Sequence, residues 1–136
     1  MNQTQIALDS CVVIDVIEKP KIASKLKDSL RGKSVKIVLC DVVLSEVYRV
    51  RGYVASFVIA KITKILGREI ELSKMQDDDS AVTITEQFAI CHNGDNKILS
   101  LCQAKDYVLI TFDRMLLKTS QFIGVAAFHP FMAGGI

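Results

Sequence analysis

The sequence QIALDS, residues 5–10, sets the fold class, because a short apolar run ends directly at an aspartate. Four more short runs predict strands, at residues 35–39, 69–72, 108–111 and 124–128. Helices are predicted between them, at residues 10–18, 20–31, 41–51, 53–66, 78–91, 95–105 and 114–120. Apolar strands that alternate with helices are typical of a parallel sheet covered on both faces. We therefore expect an α/β fold, a three-layer α/β/α sandwich with a mostly parallel five-stranded sheet.

Several helix boundaries follow from single residues. Ser10 is placed to cap the first helix, and Pro20 suits the first position of the second. The pair Asn93-Gly94 predicts an interruption, after which Asp95 begins a new helix.

The length and composition predict one domain over residues 1–136, since half of the 136 residues are hydrophobic. Seventeen basic and fifteen acidic residues leave a net charge of +2, which excludes a globally basic nucleic-acid coat protein and a highly charged disordered chain. The longest apolar runs are far shorter than the roughly 20 residues that span a bilayer. The chain does not open with a basic segment followed by an apolar one, so we expect a cytoplasmic protein without a membrane partner.

Four cysteines, Cys11, Cys40, Cys91 and Cys102, show no C-x-x-C spacing. Such cysteines behave as small hydrophobic residues in a reducing compartment, so we expect four reduced thiols.

Charge is distributed unevenly along the chain. Residues 19–36 contain seven basic residues and one acidic residue, whereas residues 69–95 contain seven acidic residues and one basic residue. The two stretches are either ordinary solvated faces, or a positive surface for a polyanion beside a carboxylate site.

Four acidic residues are expected to converge. Asp9 and Asp113 follow strands, and in a parallel sheet both lie at the carboxyl edge, where α/β folds bind ligands. Glu46 and Asp95 lie near the beginnings of helices and can project towards the same edge. Packed carboxylates repel each other, and a hard divalent cation such as Mg²⁺ or Mn²⁺ relieves that repulsion. Taken singly, each acid also has an ordinary structural explanation, as a helix cap, a turn residue or, for Glu46, an ion pair with Arg49.

Four segments together resemble the acidic motifs of the PIN domain family: IALDS (6–10), VVLSEVYRV (42–50), GDNKIL (94–99) and TFDR (111–114). The resemblance implies a metal-dependent nuclease that acts mostly on RNA. By motif position it makes Asp9, Glu46, Asp95 and Asp113 the catalytic residues and the ligands of Mg²⁺ or Mn²⁺. It also implies that Ser10 and Thr111 hold a carboxylate or a metal-bound water.

We therefore hypothesise a ribonuclease that hydrolyses phosphodiesters and contacts RNA through Lys25, Lys27, Arg49 and Arg51. The family includes VapC-type toxins, which would have an antitoxin protein as a partner, and nucleases related to ribosomal-RNA processing, to which GDNKIL and TFDR are more similar. Both roles stay open, and the resemblance favours a homodimer. Residues 57–65 are a candidate dimer interface. The alternative is a non-catalytic RNA- or protein-binding module with a vestigial metal site.

Overall fold

The computed structural model describes residues 3–74 and 93–136, with the side chains of the second segment described from Asn96 onward. The helix predicted at residues 78–91 and the thiol of Cys91 lie outside the described residues. Five strands form one parallel sheet, in the order β3-β2-β1-β4-β5. They are β1 (Thr4–Leu8), β2 (Val35–Cys40), β3 (Ile70–Ser73), β4 (Val108–Ile110) and β5 (Ala127–Phe128). The predicted α/β/α sandwich with a five-stranded sheet is confirmed, and the sheet is parallel throughout.

Helices connect successive strands. They are α1 (Ser10–Glu18), α2 (Pro20–Ser29), α3 (Asp41–Arg51), α4 (Ala55–Leu66), α5 (Asn93–Lys105) and α6 (Arg114–Ile123). A 3₁₀ helix, Pro130–Gly135, follows β5 and packs against α2; the sequence had not indicated it. No helix in the described ranges is long and apolar enough to span a bilayer.

Three predicted boundaries are wrong in detail. Asp9, not Ser10, is the N-cap of α1, because its side chain accepts the Ser10 N–H. Helix α5 is described from Asn93, so Asn93 and Gly94 are helical, whereas the sequence predicted a helix that begins at Asp95. The last strand is shorter than predicted, because Gly124 ends α6 with a left-handed φ of 80°, and the Val125 N–H still bonds back to Ser120.

The hydrophobic core is formed by the central strand β1 and the helices that pack on the sheet. Ile6, Ala7 and Leu8 of β1 are fully buried, as are the helix residues Val58 and Ile62. Burying an Ile, Leu or Val side chain contributes about 1.5–3 kcal/mol. In the segment proposed from sequence as a dimer interface, these two α4 residues therefore pack into the domain's own core.

The order of the strands creates a site at the carboxyl edge. Strand β1 pairs with β2 on one side and with β4 on the other, so the connections leave β1 and β4 in opposite directions. Ligands of open parallel sheets bind in the crevice at such a switch point. Asp9 follows β1 and Thr111 follows β4 at this position.

Candidate acidic site

Asp9 and Thr111 are brought side by side by the strand register. Leu8 pairs with Ile110, and the Asp9 N–H donates to the Ile110 carbonyl at 3.0 Å, so the ladder continues one residue beyond the strands. The Thr111 hydroxyl donates to Asp9 Oδ2 at 2.8 Å, and the Ser10 N–H donates to Oδ1 at 2.8 Å. Both oxygens of the Asp9 carboxylate are therefore oriented.

Burial dominates the electrostatics of Asp9, which is 6 % exposed. Desolvation raises the pKa of Asp9 above its ordinary value of 3.8, and the negative charges of Glu46 and Asp113 raise it further. The hydrogen bonds from Thr111 and Ser10 oppose this shift. The charged form of the Asp9 carboxylate is therefore destabilised, and a bound cation would stabilise that charged form.

Asp113 is connected to Asp9 through Thr111. Its N–H donates to the Thr111 hydroxyl oxygen at 3.1 Å, and its Oδ1 accepts from Met115 and Leu116 at 2.8 and 3.2 Å. Asp113 is therefore the N-cap of α6, whereas the ordinary explanation expected from the sequence was a turn residue. Capping uses one oxygen; Oδ2 accepts no hydrogen bond from the described residues, and the residue is exposed.

Glu46 lies on α3 and is half-buried. Its charge acts on Asp9, which places it on the same side of the sheet edge. The predicted pairing with Arg49 exists but is loose, with 3.8 Å between the guanidinium and the carboxylate, and Arg49 is largely exposed. A pair of this kind contributes little stability and leaves Glu46 available for other interactions.

Asp95 lies in the first turn of α5, and its side chain is outside the described part of the chain. Among the side chains that are described, no three His, Cys, Asp or Glu residues are grouped to hold a metal ion. The donor chemistry of Asp9, Glu46 and Asp113 nevertheless fits a hard divalent cation, since all three offer carboxylate oxygens and the buried one faces like charges.

Two buried polar atoms of α5 lack partners within the described residues. They are Oδ1 of Asn96 and Oγ of Ser100, in residues that are 2 % and 0 % exposed. Ser10, predicted to hold a carboxylate or water, is also buried, and its backbone N–H contacts Asp9.

The predicted RNA-binding residues occupy different positions. Lys25 and Lys27 are exposed on α2, and Arg49 is exposed on α3. Arg51 instead bonds to Glu18 at 3.0 Å, and the Tyr53 hydroxyl donates to the same carboxylate oxygen at 2.7 Å. These two bonds lower the pKa of Glu18 and tie the end of α1 to the end of α3.

The basic stretch 19–36 does not form one surface beside the acids. Lys33 and Lys36 lie just before and within the start of β2, at the amino edge of the sheet. Lys36 lines a cleft there together with Lys105 and Asp106. The lysines of α2 are therefore the better candidates for contact with a polyanion bound at the carboxyl edge.

Three aromatic residues that the sequence interpretation did not single out also lie at the carboxyl edge. Phe112 lies between Thr111 and Asp113, while His129 and Phe131 follow β5, and their rings contact each other. We call Phe112, His129 and Phe131 the aromatic cluster. The available signal was weak: one aromatic residue inside TFDR and two flanking a proline after the last strand.

A family model of the PIN domain matches residues 6–121. The chain belongs to the PIN domain family. Members of this family are generally nucleases that depend on divalent metal ions. No curated protein matches the sequence of the chain.

Solved structures share the fold of this PIN domain. VapBC2 from Rickettsia felis, bound to a DNA fragment from its promoter, is similar with a TM-score of 0.66 and 18 % identity, covering 93 % of this chain and 98 % of that one. A domain of a functionally unknown protein from Methanocaldococcus jannaschii has a TM-score of 0.57 and 20 % identity, covering 93 % and 90 %. FitAB bound to the IR36 DNA fragment has a TM-score of 0.54 and 15 % identity, covering 93 % and 95 %. At these identities the likeness concerns the fold.

Proposed function

We propose that this PIN domain, taken as one unit over residues 1–136, is a metal-dependent endoribonuclease that hydrolyses RNA phosphodiesters. The observation that carries the proposal is the buried Asp9 carboxylate, which is oriented by Thr111 and faces the charges of Glu46 and Asp113. Like charges beside a buried carboxylate favour its protonation, and a cation bound there would stabilise the charged form instead. We assign Mg²⁺ or Mn²⁺ to Asp9, Glu46, Asp95 and Asp113, in keeping with their motif positions.

Each described acid would contribute differently. Thr111 and the Ser10 N–H fix the Asp9 carboxylate in one orientation, which reduces the reorganisation needed at the moment of reaction. Asp113 is held by the first turn of α6 through Oδ1, so Oδ2 would be the oxygen that contacts the cation. When bound, a divalent ion supplies activation of water and offsets the charge that develops on the phosphodiester.

The lysines of α2 and Arg49 are proposed to contact the phosphate backbone. Lys25, Lys27 and Arg49 are exposed cations, whereas Arg51 is already engaged by Glu18. We therefore expect Arg51 to support the fold more than it supports RNA affinity.

The proposed partners besides RNA are an antitoxin protein and a second copy of this chain. The antitoxin is supported by the motif resemblance to VapC-type toxins and by the fold shared with VapBC2 and FitAB. A cytoplasmic location accords with Cys11, Cys40 and Cys102, which form no disulfide within the described residues. A role in RNA processing stays open beside the toxin role.

The rival is a module that binds RNA or protein without cleaving. It is favoured by the lack of a metal-holding group of three among the described side chains, a set that omits Asp95. The two functions differ in whether RNA is cut when Mg²⁺ or Mn²⁺ is added.

The test is cleavage of single-stranded RNA by the wild type and by Asp113→Asn. Asparagine caps helices as well as aspartate does, so this variant keeps the fold and loses only the charge. Asp106→Asn is the matched control, because Asp106 is exposed at the opposite edge of the sheet and its φ of 57° suits asparagine.

We expect metal-dependent cleavage by the wild type and the control, and a loss of about 100-fold or more in Asp113→Asn. Equal cleavage by all three proteins, or cleavage that persists in excess chelator, would exclude the proposed site. Tight RNA binding by the wild type without cleavage in either metal would favour the rival.

A further inference from the structure

The aromatic cluster leaves part of its surface open. The ring centroids of Phe112 and His129 are 5.1 Å apart, those of His129 and Phe131 4.8 Å, and those of Phe112 and Phe131 6.1 Å. All three pairs meet edge to face, with interplanar angles of 82°, 72° and 86°, so no ring is stacked face to face on another. Phe131 is 37 % exposed, and Phe112 and His129 are half-buried.

The cluster adjoins the acidic site through the covalent chain. Phe112 is bonded on one side to Thr111, which holds Asp9, and on the other to Asp113. Strand β5 pairs with β4 in register, with Ile110 opposite Phe128, so His129 begins at the same edge as Thr111. A nucleotide seated on the cluster would thus lie beside the acids.

Cationic and donor groups accompany the rings. The Lys25 ammonium lies over the Phe131 ring, 4.5 Å from its centroid, and the neighbouring Lys21 and Lys27 of α2 are also exposed. His129 Nδ1 accepts the Phe131 N–H at 3.1 Å, so the ring proton of the neutral imidazole is on Nε2, where it can be donated.

We infer that the aromatic cluster and Lys25 form a subsite for one unpaired nucleotide of single-stranded RNA next to the acidic site. The base stacks on the exposed Phe131 ring in the place that the Lys25 ammonium occupies in the free protein, and Lys25 contacts the adjoining phosphate. Stacking platforms with nearby cations are the usual means by which proteins hold single strands, because every base offers a π-face. The inference rests on the proposed function for its substrate, and it adds that the substrate is unpaired at this position.

Charge favours RNA over a protein as the occupant. An apolar protein partner gains nothing from a lysine ammonium placed over the Phe131 ring, whereas a nucleotide uses both the ring and the cation. The paired bases of a double helix are stacked on each other and offer no free face. The subsite therefore selects single strands, loops or frayed ends.

Binding is measured in chelator, so that affinity is separated from cleavage. A fluorescein-labelled single strand of about 12 nucleotides is titrated with wild type, Phe131→Leu, Phe131→Tyr and Met132→Ala. Met132 is the matched control, because it is an exposed apolar residue of the same 3₁₀ helix outside the cluster. Thermal melting verifies that each variant is folded.

We expect Phe131→Leu to weaken binding roughly 5- to 150-fold, which is the usual range for losing one stacked base. Phe131→Tyr and Met132→Ala should bind like the wild type. Lys25→Gln should weaken binding and reduce the slope of log affinity against log salt by about 0.7. Wild-type affinity in Phe131→Leu would overturn the inference.

An abasic scan tests stacking directly. Removing the base at one position should weaken binding to the wild type and leave binding to Phe131→Leu unchanged, because the ring and the base act as a pair. Equal losses of affinity in both proteins at every position would overturn the inference. Loss of self-association in Phe131→Leu with intact RNA affinity would also overturn it, because the cluster would then bind a second copy of the chain. Cluster-dependent binding by a wild type that does not cleave would leave the inference standing while the proposed nuclease function fails.

Discussion

The Thr111 hydroxyl donates to Asp9 Oδ2 at 2.8 Å while its oxygen accepts the Asp113 N–H at 3.1 Å, so one buried side chain joins two acids that are 104 positions apart in sequence. Thr111 is itself 0 % exposed. The spacing of the two carboxylates is therefore set by the β1–β4 pairing and by this residue, before any ligand arrives.

Replacing Asp9 with Asn should stabilise the metal-free protein at neutral pH. The pKa of Asp9 is raised in the folded state, so the folded protein binds this proton more tightly than the unfolded chain does. The stability that this group contributes is complete below the ordinary carboxyl range and is lost as the pH rises through the folded-state pKa. Asn removes the penalty, and Thr111 can turn its hydroxyl to accept from the new amide.

Melting temperatures in chelator from pH 3 to pH 8 measure this effect. We expect the difference between Asp9→Asn and the wild type to grow with pH, while Asp106→Asn shows no such trend. Adding Mg²⁺ or Mn²⁺ should raise the melting temperature of the wild type but not that of Asp9→Asn. A difference that is constant with pH would contradict the account of Asp9.

Thr111→Val should cost about 1–3 kcal/mol of folding free energy, because the buried Asp9 carboxylate and the partly buried Asp113 N–H both lose their partner. It should also shift the pKa of Asp9 further upward, since the hydrogen bond that opposes the shift is gone. The acidic limb of a pH–rate profile under single-turnover conditions should therefore move to higher pH.

Thr111→Ser is the rescue variant, because it keeps the hydroxyl and loses only a methyl group. It should restore the wild-type profile at a small cost in stability. If Val and Ser variants gave the same profile as the wild type, Thr111 would be a packing residue and not a positioning residue.

The structure brings Asp9 and Asp113 to the carboxyl edge, whereas the convergence of all four acids stays a prediction, because the Asp95 side chain is outside the described residues. The sequence predicts those two positions because parallel strands end at one edge and Asp9 and Asp113 follow two of them. It predicts less about which residues are already engaged. The sequence indicates that Arg51 is a cation available to RNA, but the packing of α1 against α3 brings Glu18, 33 positions away, into hydrogen-bond contact with it. The aromatic cluster is not predicted from the sequence for the same reason. Phe112 and Phe131 are in contact only because β5 returns the chain to the edge where β4 ends.

Charge and capping can be separated at Asp113. Asp113→Ala should lose about 1 kcal/mol of stability, because the first turn of α6 loses its cap, whereas Asp113→Asn should stay near the wild type. Both should lose cleavage to a similar extent if the charge is what matters. Urea unfolding and single-turnover cleavage of the two variants provide the comparison. If the loss of cleavage rate were proportional to the loss of stability in the two variants, Asp113 would act only through the fold.

Thiol alkylation should distinguish the exposed Cys11 beside the acidic site from the two buried thiols, Cys40 and Cys102. Cys11 is exposed on α1, two residues after Asp9, whereas Cys40 and Cys102 are buried in the core. Desolvation raises the pKa of Cys40 to about 12 and that of Cys102 well above its ordinary range, so neither forms thiolate at neutral pH. Iodoacetamide should therefore modify Cys11 in the native protein and spare the other two, as read by mass spectrometry of the peptides. Alkylation in guanidinium is the control, and there all three should react. If Cys40 reacted natively as fast as Cys11, the end of β2 would have to open readily, and the fixed geometry assigned to the acids would not hold.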